Sequence, residues 1–341
     1  MAEPASSAPL PLSVWPTAQQ PAASQRTGRY LPGSTAHPAK MLPAIARQAI
    51  AAYSQPGDLV LDPMCGIGTT LVEAIHLGRD AIGIELEARW AELASANIAH
   101  AGRLGVTGMA QVMTGDARDL PHLVDPDLAG RVALILTSPP YGRSVHGQVT
   151  AHPGRGVAKF DDTYSADPAN LGRVNPPTLL KALQEILASC QQLLGPDGLL
   201  VLTARPYRYR DQLVDLPGQL TQVAEATGLL LYERNAALLV GLREDRLVPR
   251  PSFSNCTRSA RPAPTGSRCR SSPTKTSSSS ASPKAPRVRD EDAGPLRAGL
   301  GQRQRRGDLD EDGLQASLLI AEPAERQEFT EAFDRDIPAG N

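Results

Sequence analysis

The chain has 341 residues, 41% of them hydrophobic, and a formal net charge of -1. That length accommodates one large or two ordinary domains, and the near-zero charge excludes a global basic field, so any nucleic-acid contact must come from a local patch. The cysteines Cys65, Cys190, Cys256 and Cys269 lack metal-ligand or disulfide-framework spacing, and with no signal-peptide pattern or long apolar span the expectation is a cytoplasmic protein with neither metal nor membrane.

Residues 1–28 are rich in Ala, Pro, Ser and Gln, too poor in large apolar groups to offset the entropy of ordering, and are expected to be disordered. From Pro38 to Tyr53, Leu42, Ile45, Ala46, Ala49 and Ile50 share one helical face, with Pro38 suited to the first turn. A turn at Gln55-Pro56-Gly57-Asp58 leads into Leu59-Val60-Leu61-Asp62-Pro63-Met64-Cys65-Gly66-Ile67-Gly68-Thr69-Thr70. This stretch reads as a strand ending in an acid, then a tight loop in which Gly66 and Gly68 leave no Cβ between backbone and ligand, then a helix. Ligands of open α/β sheets bind at such strand ends, although two nearby glycines are also compatible with an ordinary turn.

A second strand, Ala81 to Glu85, ends in an acid about twenty residues beyond the loop, the spacing at which βαβ nucleotide sites hydrogen-bond ribose hydroxyls. A helix through Trp90, Leu93, Ala94 and Ile98 follows, and the strand Gln111–Thr114 brings Asp116 to the same rim. The strand Val132–Leu136 runs into Thr137-Ser138-Pro139-Pro140-Tyr141-Gly142, where two consecutive prolines make a rigid, donor-free turn that exposes carbonyl oxygens. The residues from Arg143 to Pro177 form a long polar stretch with a local basic cluster, either a functional loop or a surface excursion. Helices over Thr178–Leu194 and Asp211–Thr227 alternate with a strand Leu199–Thr203 and a long strand or strand pair over Leu229–Leu242. The alternation predicts an α/β fold: a Rossmann-like, doubly wound, mostly parallel sheet with helices on both faces.

Asp62 to Thr70, together with Thr137-Ser138-Pro139-Pro140-Tyr141, resembles the cofactor and catalytic motifs of the S-adenosylmethionine-dependent DNA amino-methyltransferases, the cytosine-N4/adenine-N6 DNA methylase family. The resemblance covers about Arg29 to Val248 and implies a methyltransferase domain over residues 29–250 with S-adenosyl-L-methionine as cofactor. It implies that Asp62, Met64, Cys65, Gly66, Gly68, Thr69 and Thr70 bind the cofactor, with the Gly66–Gly68 loop at the methionine moiety. Glu85 would hold the ribose, Asp116 the adenine amino group, and His37 and Lys40 of His37-Pro38-Ala39-Lys40 would pack at the methionine end. The cofactor-before-catalytic motif order is that of one circularly permuted class, and no separate target-recognition domain is evident.

The implied catalytic residues are Ser138, Pro139, Pro140 and Tyr141. The Ser138 side chain and Pro139 carbonyl would draw the amino hydrogens of the target out of the base plane, and Tyr141 would stack on the flipped base. Methylation at cytosine carbon 5 requires a cysteine nucleophile, typically after proline, and no Pro-Cys pair exists in the chain. The serine ahead of Pro-Pro-Tyr tilts the expectation toward cytosine N4 over adenine N6 in DNA. A tRNA guanine-N2 methyltransferase, which shares Pro-Pro-Tyr-Gly, and an inactive methyltransferase remnant are the alternatives.

After Phe253 the composition changes abruptly, Ser254–Pro286 being crowded with Ser, Arg, Pro and Thr, and residues 251–341 are expected to form a low-complexity, disordered tail. Read back through the genetic code, Pro273–Pro283 can be spelled so that a neighbouring frame encodes a strand like the family's last one. A frameshifted tail would leave the sheet short of a strand, with residues 290–341 meaningless apart from a helical pattern over Leu314–Phe333.

Overall fold

The computed structural model describes residues 13–37, 39–142, 148–152, 156–160, 167–209, 212–244, 246–249 and 315–323. In chain order its first half contains β1 (Val14–Trp15), α1 (Ala22–Arg26), α2 (Pro43–Tyr53), β2 (Leu59–Asp62), α3 (Thr69–His76), β3 (Asp80–Glu85), α4 (Ala88–Arg103), β4 (Ala110–Thr114), α5 (Leu120–Leu123) and β5 (Val132–Thr137). There follow β6 (Gln148–His152), β7 (Gly156–Phe160), α6 (Pro176–Leu193), β8 (Leu194–Ala204), β9 (Tyr207–Tyr209), β10 (Gln212–Val214), α7 (Leu216–Glu225), β11 (Leu229–Leu238), β12 (Val240–Arg243), β13 (Arg246–Pro249) and β14 (Gln315–Pro323).

Eight strands form one sheet in the order β1-β11-β14-β8-β5-β2-β3-β4. β14 pairs antiparallel with both β11 and β8, while the other pairings are parallel. Side chains alternate across a strand, and here the alternation sorts residues into two cores. Leu61, Ile135, Leu200, Leu202 and Leu319 join α6 and α7 on one face; Val60, Leu134, Leu136, Val201, Leu318 and Ile320 join α2 and α3 on the other. Burial on both faces explains why these strands read as continuous apolar runs rather than alternating ones. The fold is therefore the predicted Rossmann-like, doubly wound sheet with helices on both faces. Local chemistry sets the helix starts: Asn175 Oδ1 accepts from the Thr178 N–H at 3.0 Å ahead of α6, and Asp215 Oδ1 accepts from the Gly218 N–H at 3.0 Å ahead of α7.

The structure corrects the expected boundaries. Residues 13–28 are ordered: Trp15 is buried and pairs with Ala237, and Arg26, also buried, donates from its guanidinium to the Met41 carbonyl at 2.7 Å. This segment is secured by long-range contacts that composition cannot reveal. The helix expected from Pro38 begins at Pro43, which takes the first-turn position; Pro38 itself lies outside the described residues. The helix expected from Asp211 begins at Leu216, after the β9–β10 hairpin. Within the stretch expected as one long polar loop, β6 and β7 form an antiparallel pair.

The largest correction concerns the tail. β14 lies between β8 and β11, so the sheet does not lack a strand there, and Gln315–Pro323 is extended where a helix was expected. Residues 273–283, on which the frameshift reading falls, lie outside the described residues. Both β1 and β14 are outside the expected 29–250 domain, which is too narrow for the sheet observed. No helix among the described residues is long and apolar enough to cross a membrane.

Candidate active site

The chain runs β2, β3, β4 in one direction across the sheet and then returns through β5 to β8. The order reverses between β2 and β5, and the crevice at such a switch point is where open α/β sheets take ligands. Asp62 ends β2 and Glu85 ends β3; Asp116 follows β4 by two residues, and Ser138 follows β5 directly. Because these four strands are neighbours and parallel, their carboxyl ends bring the three acids and the Ser-Pro-Pro-Tyr segment to one rim.

Asp62 is 3% exposed. Its Oδ2 accepts from the Thr70 hydroxyl at 2.6 Å and its Oδ1 from the Met64 N–H at 3.1 Å, so one carboxylate closes the loop onto the start of α3. Burial raises its pKa to about 6, with those two bonds pulling the other way. Within the loop Cys65 and Thr69 are buried and Met64 packs against the core; burial pushes the Cys65 thiol well above its ordinary value. Gly66 and Gly68 both adopt left-handed backbones, φ 55° and 78°. A Cβ on Gly68 would lie 3.1 Å from the Ala94 Cβ, so α4 closes directly on the loop.

Glu85 grips the loop from the next strand. Its Oε2 accepts from the Gly66 N–H at 2.8 Å and its Oε1 from the Glu87 N–H at 3.0 Å. His37 lies on the other side, 3.4 Å from where a Gly66 Cβ would be, with its ring edge-on to Trp90 at 4.6 Å. Burial, then the nearby Lys40 charge, lowers the His37 pKa to about 4. Lys40 donates to the carbonyls of His37 and Thr35. Asp116 is held by Arg118 through its backbone N–H, at 2.9 Å, and its guanidinium. Partial burial would raise the Asp116 pKa, but Arg118 outweighs it and leaves the carboxyl below its ordinary value.

Just after β5, Pro139 is buried and Ser138, Pro140 and Tyr141 are half-buried. Gly142 has φ 67°, and a Cβ there would come within 2.9 Å of the Val174 carbonyl oxygen, which makes glycine necessary directly after Tyr141.

Four further features were not singled out in the sequence. Asn97 on α4, fully buried, donates to the Ile67 carbonyl at 3.0 Å and accepts from the Leu31 N–H at 2.9 Å, joining the loop to the amino-terminal segment. Glu73 on α3, also fully buried, accepts from Tyr30 and is paired with Arg29 and Arg47. Tyr207 stacks with Tyr141. Gly83 in β3 leaves room for Cys65, whose Sγ would lie 2.8 Å from a Cβ; a lone glycine inside a strand pattern was the one available signal for it.

These residues would fit S-adenosyl-L-methionine. The glycine loop offers close backbone approach and the rim acids offer acceptors for hydroxyl and amino donors, while the buried indole N–H of Trp90, beside His37, has no partner among the described residues. Among the described residues no group of three or more His, Cys, Asp or Glu side chains could hold a metal ion.

The chain is 36% identical over 109 residues to a tRNA (guanine(10)-N2)-dimethyltransferase of Methanothermobacter thermautotrophicus, covering 32% of this chain and 30% of that protein. It is 35% identical over 109 residues to the protein of the same name from Methanocaldococcus jannaschii, again covering 32% of this chain and 30% of the relative. The chain thus spans about a third of the length of the curated relatives it matches. Among solved structures, TrmN from Thermus thermophilus aligns at 19% identity and TM-score 0.42, over 65% of this chain and 50% of that one. A TehB-like SAM-dependent methyltransferase from Corynebacterium glutamicum aligns at 20% identity and TM-score 0.34, over 55% and 74% respectively. Residues 5–96, which carry Asp62, both loop glycines and Glu85, match the family model described as DNA methylase.

Proposed function

We propose that the chain transfers a methyl group from S-adenosyl-L-methionine to an exocyclic amino group of a base in DNA, cytosine N4 in preference to adenine N6. The observation that carries this reading is the placement of Ser138–Tyr141 at the end of β5, directly beside the Asp62–Thr70 loop at the end of β2. When bound, the cofactor supplies a sulfonium methyl group, so positioning can provide much of the acceleration. Glu85 accepts hydrogen bonds from the ribose hydroxyls and Asp116 from the adenine amino group; His37, Lys40 and the Gly66–Gly68 loop enclose the methionine end. The Ser138 hydroxyl and Pro139 carbonyl accept from the target amino group and free its lone pair from the ring. Pro140 keeps that turn rigid, and Tyr141 stacks on the base.

The names of the two archaeal relatives favour a second reading, methylation of guanine N2 in tRNA. Tritiated methyl transfer, assayed separately on DNA and on tRNA, decides between them. Label in DNA is expected; label in tRNA alone would replace the first reading with the second. Cofactor binding with no transfer to either would overturn both in favour of an inactive remnant.

A further inference from the structure

β5 and β8 are adjacent and parallel, with Thr137 opposite Leu202. The segments that leave them therefore emerge side by side at the rim, one carrying Tyr141 and the other Tyr207. Their rings are nearly parallel, with centroids 6.0 Å apart and planes inclined by 11°. Aromatic pairs in direct contact have centroids within about 4.5–7 Å, so this spacing leaves no room for a base between the rings. Tyr207 is 7% exposed and fixed in the core, whereas Tyr141 is only half-buried. Arg205, two residues before Tyr207, hydrogen-bonds with Tyr141 as well. Gly142 then turns the chain against the Val174 carbonyl immediately after the ring.

We infer that Tyr207 is a positioning residue: by covering one face of Tyr141 it sets the plane on which the acceptor base stacks and leaves the opposite face for that base. The inference rests on the proposed base-methylating function. A tyrosine at the end of a strand turns freely about its Cα–Cβ bond, and a buried parallel ring removes that freedom before the base arrives, so less ordering remains to be done on binding. Tyr207 acts on the acceptor through Tyr141, while the cofactor-side residues Asp62, Gly66 and Glu85 belong to β2, β3 and their loop.

The test compares the wild-type full chain with Tyr207→Leu, which keeps apolar bulk but no flat face, and Tyr207→Phe, which keeps the ring. Tritiated transfer to whichever of DNA or tRNA the wild type labels gives KM for the acceptor, and calorimetry gives cofactor affinity. The expectation is a KM raised about tenfold in Tyr207→Leu and within about twofold of wild type in Tyr207→Phe, with cofactor affinity unchanged in both. A wild-type KM in Tyr207→Leu, equal impairment in Tyr207→Phe, or a parallel loss of cofactor affinity would each overturn the positioning role. A wild type that labels neither nucleic acid would overturn the proposed function, and this inference with it.

Discussion

The backbone N–H of Gly66 donates to Oε2 of Glu85 at 2.8 Å, so the loop after β2 and the acid that ends β3 are one hydrogen-bonded unit. Glu85 therefore shapes the loop as well as offering an acceptor at the rim. Glu85→Ala removes both roles and is expected to weaken cofactor binding about 10- to 100-fold, the range for losing a bond to a charged group. Glu85→Gln keeps an acceptor for Gly66 and should lose about tenfold. Titration calorimetry with S-adenosyl-L-methionine checks this, and wild-type affinity in Glu85→Ala would refute it.

Gly68 and Gly57 separate backbone strain from crowding. Both have positive φ, 78° and 90°, but a Cβ on Gly57 meets nothing within 4 Å, whereas one on Gly68 lies 3.1 Å from the Ala94 Cβ. Left-handed backbone costs a non-glycine residue about 1–2 kcal/mol. Gly57→Ala should lose roughly that amount and bind cofactor normally. Gly68→Ala should lose more and also weaken cofactor binding, because α4 would press on the loop. Chemical denaturation and calorimetry on both variants read the two effects apart; equal behaviour of the pair would show that the Ala94 contact is unimportant.

Asp62 and His37 bias stability in opposite directions over the same pH range. Asp62 titrates at about 6 in the fold against an ordinary 3.8, so the folded state binds the extra proton and stability is lost as pH rises from about 4 to 6. His37 titrates at about 4 against 6.5, so the unfolded state binds the extra proton and stability is lost as pH falls from 6.5 to 4. Each effect is of order 3 kcal/mol at about 1.4 kcal/mol per unit, and in the wild type they largely offset. Asp62→Asn should become more stable as pH rises across this window, and His37→Gln less stable. Denaturation midpoints at pH 4.5 and 6.5, at constant ionic strength, test the signs; the same slope in both variants would sink the assignment.

What was legible in the sequence was local. Asp62, Gly66 and Gly68 announce a strand, a bend and a helix within twelve residues, and Pro139-Pro140 mark the end of β5. Parallel strands then gather these signals at one rim, although they are separated along the chain. Contacts made by distant partners stayed hidden. Trp15 is held by Ala237, Asn97 by Leu31 and Ile67, and the Tyr141 ring by Tyr207, none of which leaves a periodic trace. Leu318–Ala321 is a four-residue apolar run, and such short runs do not distinguish a buried strand from a helix. Its pairing partners, β8 and β11, made it a strand.

That strand yields the sharpest test of how far the fold extends. Leu318 and Ile320 face one core and Leu319 the other, and all three are nearly or fully buried. Ile320→Ala and Leu319→Ala should each cost about 2–5 kcal/mol, the range for emptying a buried aliphatic site. Leu242→Ala, at a position 45% exposed, should stay within about 0.5 kcal/mol. Ending the chain at residue 314 would strip β8 and β11 of a shared partner and leave two unpaired edges in the middle of the sheet, so that protein should aggregate. Denaturant unfolding of the point variants and light scattering of the shortened chain measure these outcomes. If Ile320→Ala and Leu319→Ala were as stable as Leu242→Ala, β14 would contribute nothing to the core, and the sheet would hold together across β8 and β11 by some other means.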